Sequence, residues 1–166
     1  MYRPQHALVR QHGVESGQLT AGETKNLESR EASLNREIKD DREANGGKLT
    51  SAEREQVNRQ QNNLSKSIYN DKHNVNTARY GNNEVGARRQ SQQERIANGI
   101  RNGSMSAGEV ARTENREQGI NQQIRADRAA NGGKLTGGEK AQINHEQNRT
   151  SRQIYRQKHN GVRAPK

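Results

Sequence analysis

The chain has 166 residues, 26% of them apolar, with no Cys, Phe or Trp; its only aromatics are Tyr2, Tyr69, Tyr80 and Tyr155. Aromatic anchors bury about 150–250 Å² each, so their near absence argues against a deep globular core, and the lack of Cys excludes disulfides, thiolate chemistry and Cys-ligated zinc. The net charge of +10 is uneven, with 13 Lys/Arg against 11 Asp/Glu in residues 1–80 and 16 against 8 in residues 81–166, a balance that favours polyanions or simply a solvated surface.

In chain order, residues 5–16 read as a short helix. Thr20 with Glu23 then opens a long helix over 20–44, because a hydroxyl followed three residues later by an acid can cap the first turn reciprocally. Asn45-Gly46 tolerates the left-handed backbone that ends helices. Thr50 with Glu53 starts a second long helix over 50–74, which should fold back antiparallel on the first. Residues 76–90, with Gly81, Gly86 and several Asn, read as a linker. The same order then recurs: a short helix over 91–102, a long one over 106–130 opened by Ser106 with Glu109, and another over 136–160 opened by Thr136 with Glu139.

The recurrence is a duplication. Residues 13–74 align without a gap on 99–160, with 30 of 62 positions identical, including Asn45-Gly46-Gly47-Lys48-Leu49-Thr50 against Asn131-Gly132-Gly133-Lys134-Leu135-Thr136. The expected fold is all-α, a tandem duplication of a helical-hairpin unit with a short helix plus two long antiparallel helices per lobe: lobe A over 1–75, the linker over 76–90, and lobe B over 91–166. The buried seam is narrow. It joins Leu27, Leu34 and Ile38 to Val57, Leu64 and Ile68 in the first lobe, and Thr113, Ile120 and Ile124 to Ile143, Thr150 and Ile154 in the second. Six aliphatic side chains at about 1.5–3 kcal/mol each barely offset the entropy of ordering the helices. The lobes should therefore pack on each other, on the short helices or on another chain, which makes a homo-oligomer or an envelope partner an expectation.

Two motifs invite a cation reading. Asp41, Asn45 and Glu53, and again Asp127, Asn131 and Glu139, partly follow an EF-hand loop, which makes calcium the one cofactor to weigh. That loop needs oxygen ligands at positions 1, 3, 5 and 12, yet position 12 is Ala52 or Gly138 and Lys48 or Lys134 sits inside. A helix end followed by a capping box explains the same residues. Tyr69 with His73, and Tyr155 with His159, share a helical face, but His and Lys in a last turn also complement the helix dipole.

Catalysis finds no motif: there is no Gly-x-Ser-x-Gly, no His-Glu-x-x-His and no phosphate loop. The chain reads as a non-enzymatic structural or interaction protein, with polyanion binding as the alternative. The candidate anion contacts are Arg88, Arg89, Arg95, Arg101, Arg149, Arg152, Arg156 and Lys158, although Glu recurs nearly every turn and no helix is expected to carry an unbroken basic face. No apolar run is long enough to span a membrane, and none follows Met1 as a signal peptide requires.

Taken together, the Gly-x-Leu-Thr-x-x-Glu, Ala-Asn-Gly-Gly-Lys-Leu-Thr and Ile-Tyr-x-x-Lys-His-Asn segments resemble those of a group of uncharacterised bacterial exported proteins carrying one or two such units. The resemblance covers about 13–74 and 99–160. It implies a periplasmic or secreted protein and brings no activity with it.

Overall fold

A computed structural model describes residues 4–164, so the outermost residues of the two expected lobes, 1–3 and 165–166, lie outside the description. Six helices follow one another: α1 (Pro4–Glu15), α2 (Ala21–Ala44), α3 (Ser51–Lys72), α4 (Glu84–Arg101), α5 (Ala107–Ala130) and α6 (Gly137–Lys158), with no strand among the described residues.

The helix starts follow from local chemistry. The Glu23, Glu53 and Glu139 amides donate to Thr20, Thr50 and Thr136 Oγ1, and the three carboxylates accept from the corresponding cap amides at 2.9, 2.7 and 2.7 Å. At Ser106 the box closes slightly differently: the Ser106 amide and hydroxyl donate to Glu109 Oε2, and the Glu109 amide also donates to the Ser106 carbonyl. The first and fourth helices end in matching ways. The Leu19 amide reaches back to the Gly13 carbonyl at 2.9 Å and the Met105 amide to the Gly99 carbonyl at 3.2 Å. A Cβ on Gly13 would lie 2.7 Å from Leu19 Cδ1 and one on Gly99 2.7 Å from Met105 Sδ, so a side chain at either position would push Leu19 or Met105 aside.

The expected linker is shorter than its composition suggests. Asn83 caps α4, accepting from the Gly86 amide at 3.0 Å, and residues 84–90 are helical. Arg88 and Arg89 therefore stand on a helix, which fixes their directions as a linker would not. The second long helix of each pair is also slightly shorter than expected, with His73 and His159 as C-caps.

Polar bonds fix the directions of the long helices. Arg30 pairs with Ser67 and Glu37 with Gln60 between α2 and α3, and Thr113 with Gln157 between α5 and α6, so each pair runs antiparallel. The most extensive packing lies between α2 and α5, then between α1 and α4. One core draws on all six helices and the turns before α2 and α5, through Val14, Leu27, Leu64, Ile68, Ile96, Ile100, Val110 and Ile154 with Leu19 and Met105. A second, smaller cluster of Val85, Ile120, Ile124 and Ile143 lies in the later half alone. Of the twelve seam residues, eleven are buried and Ile38 is half-buried. The thin seams are thus covered by the other half of the same chain.

Candidate polyanion-binding face

The helices α4 and α6 lie side by side and gather most of the expected anion contacts. Arg95 crosses from α4 to α6, donating to the Ser151 hydroxyl at 3.2 Å and carbonyl at 3.0 Å. Arg88 donates to Asn148 Oδ1 at 2.9 Å and pairs with Glu84 at 3.2 Å. Lys158 Nζ reaches the Arg95 carbonyl at 3.5 Å, and its burial and the neighbouring Arg95 lower its pKa. Arg101, at the end of α4, donates to Asn98. Arg89 does not join this group, since its guanidinium lies over the Tyr80 ring at 5.3 Å.

Arg149, Arg152 and Arg156 have a different environment. Their spacing of three and four residues puts them on one helical face, away from Ile143, Gln147, Thr150 and Ile154, which are buried. All three are exposed, and none makes a recorded ion pair or side-chain hydrogen bond. From Gln147 to Lys158 the helix contains no acid. This corrects the expectation that Glu breaks every basic face: acids are frequent over the whole chain, but along the last three turns of α6 there are none.

The proposed cation residues are otherwise engaged. Asn45 Nδ2 donates to the Asp41 carbonyl at 2.8 Å and to both Glu53 carboxylate oxygens at 2.9 and 3.0 Å, while Glu53 also accepts from the Thr50 amide. Asn131, Asp127, Glu139 and Thr136 repeat the arrangement. An amide N–H pointing at the carboxylate occupies the place a cation would need, and the bond from the cap amide holds the Glu53 and Glu139 carboxyls below the usual range. No group of three His, Asp or Glu suited to a metal occurs among the described residues. Tyr69 and Tyr155 are exposed and stack on His73 and His159 at 4.1 and 4.3 Å, closing a helix end rather than lining a cleft.

Several buried polar groups escaped the sequence reading. Arg10 is buried in α1 and pairs with Glu28 at 2.7 Å and Glu31 at 3.3 Å. Burial raises the Glu31 pKa, and Arg10 opposes the rise. In α5, Glu114 and Glu117 are fully buried. Burial pushes Glu114 well above the usual carboxylate range against one bond from Gln93, and pushes Glu117 up to about 7 against the pull of Arg89. The sequence signal for these groups was the break they make in the apolar seam, which alone does not identify partners.

No family model, curated protein or solved structure matches this chain. Among the described residues, no helix is long and apolar enough to cross a membrane.

Proposed function

We propose that this is a non-enzymatic binding protein for acidic polymers, built as a tandem duplication of a helical-hairpin unit, with α6 as its contact surface. The observation that carries the reading is the row of Arg149, Arg152 and Arg156, exposed, without ionic partners and on a stretch free of acids. Guanidinium groups bind phosphate and sulfate in a bidentate way, and unpaired ones need not first break an ion pair. Arg88 and Arg95, held against α6, extend the positive field along the same pair of helices. No aromatic accompanies the row except Tyr155, so the contact is to the charged backbone of a polymer rather than to stacked bases. The exported location implied by the sequence resemblance belongs to this proposal.

Titration with duplex DNA and with heparin at two salt concentrations tests it. Affinity is expected to fall steeply with salt, and the triple variant R149Q/R152Q/R156Q should reduce the salt slope by about one per lost contact. Salt-independent binding, or a triple variant that binds as well as the parent, removes the proposal.

Self-association is the second reading. Leu8 and Val9, 54% and 40% exposed on α1, are the observation that favours it. Light scattering after size exclusion decides: a monomer at micromolar concentration ends it.

A further inference from the structure

A second basic feature lies on a different part of the molecule. Between α5 and the segment that joins α3 to α4 is a cleft of about 620 Å³, with the first turn of α2 contributing Thr20, Ala21 and Gly22 to its wall. Four arginines line it, Arg79, Arg89, Arg125 and Arg128, and no Asp or Glu does. The joining segment is pinned in place by the Ala78 amide, which donates to the Gly17 carbonyl at 2.8 Å.

Three of the arginines have no ionic partner, and Arg89 has only the buried Glu117 within electrostatic reach. Arg79, Arg125 and Arg128 make no recorded side-chain hydrogen bond or ion pair, and Arg89 Nε is buried without a partner. Arg89 is held by its stack on Tyr80 and by one long bond to the Arg79 carbonyl at 3.4 Å. Burial lowers its pKa against the pull of Glu117 and Tyr80, and the charges of Arg125 and Arg128 add to the lowering. Glu23, in the first turn of α2, is engaged by Thr20, Asn74 and Asn76. Glu117, within electrostatic reach of Arg89, is buried and does not line the cleft.

Like charges gathered at one cavity without an acid repel one another, and an anion relieves that repulsion. The remaining polar lining is the hydroxyls of Thr20 and Thr77 and the amides of Asn76, Gln118, Asn121 and Gln122, of which Asn76 already donates to Glu23 and Gln118 accepts from Lys25. Amides both donate and accept, and the Asn121 Oδ1 acceptor is buried without a partner. The cleft offers no aromatic ring for a base to stack on, since Tyr80 does not line it. A ligand that satisfies these groups carries an oxyanion for the arginines and hydroxyls for the amides.

We propose that this cleft is a binding site for a phosphorylated sugar, with Arg89, Arg125 and Arg128 on the phosphate and the amides of α5 on the hydroxyls. The site shares no residue with the α6 row and does not rest on polymer binding there.

Calorimetry with glucose 6-phosphate, inorganic phosphate and glucose tests the proposal on the full chain. Glucose 6-phosphate is expected to bind saturably below about 1 mM, more tightly than phosphate, with glucose silent. The variant R125Q/R128Q should weaken it about 10–100-fold, the range for losing charge-assisted hydrogen bonds. Both side chains reach solvent, so circular dichroism should show the parent fold. R149Q/R152Q/R156Q should bind the sugar phosphate unchanged, which separates this site from the α6 face. No binding of glucose 6-phosphate, an affinity no better than that of phosphate, or an unaffected R125Q/R128Q overturns the proposal.

Discussion

The two halves of the chain agree at 30 of 62 aligned positions and solve the same packing problem differently. In the first half, Arg10 reaches from α1 between Glu28 and Glu31 of α2 and all three are buried. In the second half the position 86 residues on is Ile96, while the two acids are retained as Glu114 and Glu117, equally buried. One half has a compensated ionic cluster under its short helix, and the other has an aliphatic side chain beside two acids held toward their neutral form. The surface changes in the opposite sense: Val9, Glu15, Asn63 and Asn70 become Arg95, Arg101, Arg149 and Arg156. The later half loses this cation inside and gains these four, with Arg112 in place of Asn26, while Lys25, Arg36 and Arg59 give way to Ala111, Gln122 and His145. A repeated scaffold can thus keep its caps and turns while its charge is redistributed from the interior toward the surface.

The largest expected effect removes the ionic cluster. Arg10→Met should destabilise the protein by about 3–5 kcal/mol, because two buried carboxylates then lose their cation. Urea unfolding followed by circular dichroism measures it. A loss under about 1 kcal/mol would mean that the cluster matters no more than a surface pair does.

The second test uses pH on the other half. Glu114 and Glu117 bind protons more tightly folded than unfolded, with Glu117 at about 7. Between the ordinary carboxylate value near 4.5 and about 7, the folded state therefore holds more protons than the unfolded one. Stability conferred by the protonated forms is full below about 4.5 and is lost as pH rises through 7, with a slope of up to about 1.4 kcal/mol per pH unit for each proton. The double variant E114Q/E117Q should flatten this decline and be the more stable protein at pH 8. Melting curves from pH 5 to 8 check it; parallel profiles for parent and variant would refute the assignment.

What the sequence made legible, and what it did not, divides along range. Thr20, Thr50, Ser106 and Thr136 could be placed as caps because the chemistry of a cap is complete within four residues. The seam from Leu27 to Ile154 followed from spacing along single helices. Arg10 could not be paired in advance, since Glu28 and Glu31 lie 18 and 21 residues away and a polar residue in a helix reads equally well as solvated. Arg89 was a candidate anion contact by itself, but its grouping with Arg79, Arg125 and Arg128 was missed for the same reason: they come from three different segments and meet only in the fold. The start of α4 was different, for there the signal was present. Asn83 followed by Glu84 is a helix start, but the surrounding Gly and Asn residues read as a linker.

That start yields the third test. A Cβ on Gly86 would lie 2.0 Å from the Tyr80 carbonyl oxygen and 2.4 Å from that of Gly81. Both are backbone atoms, so the turn itself must move. Gly86→Ala should cost about 1–3 kcal/mol, the range for overpacking, and should disturb Val85, which is buried against the cluster of Ile120, Ile124 and Ile143. Thermal unfolding measures the loss, and a variant as stable as the parent would show that the turn yields freely.

The smallest effects come where the halves agree. The caps at Thr50 and Thr136 have the same bond lengths to their acids, 2.7 Å from the cap amide and 3.3 Å to the hydroxyl, and both acids are also bonded by an Asn from the preceding helix end. Replacing either Thr by Ala removes the acceptor for the Glu amide and should cost about 1 kcal/mol. The sharper expectation is that T50A and T136A cost the same to within about 0.5 kcal/mol and add in the double variant, because the two turns share no partner. Unequal losses in chemical denaturation would show that the charge difference between the halves reaches even these ends. Equal losses would confine the divergence to the buried positions of α1, α4 and α5 and to the exposed face of α6.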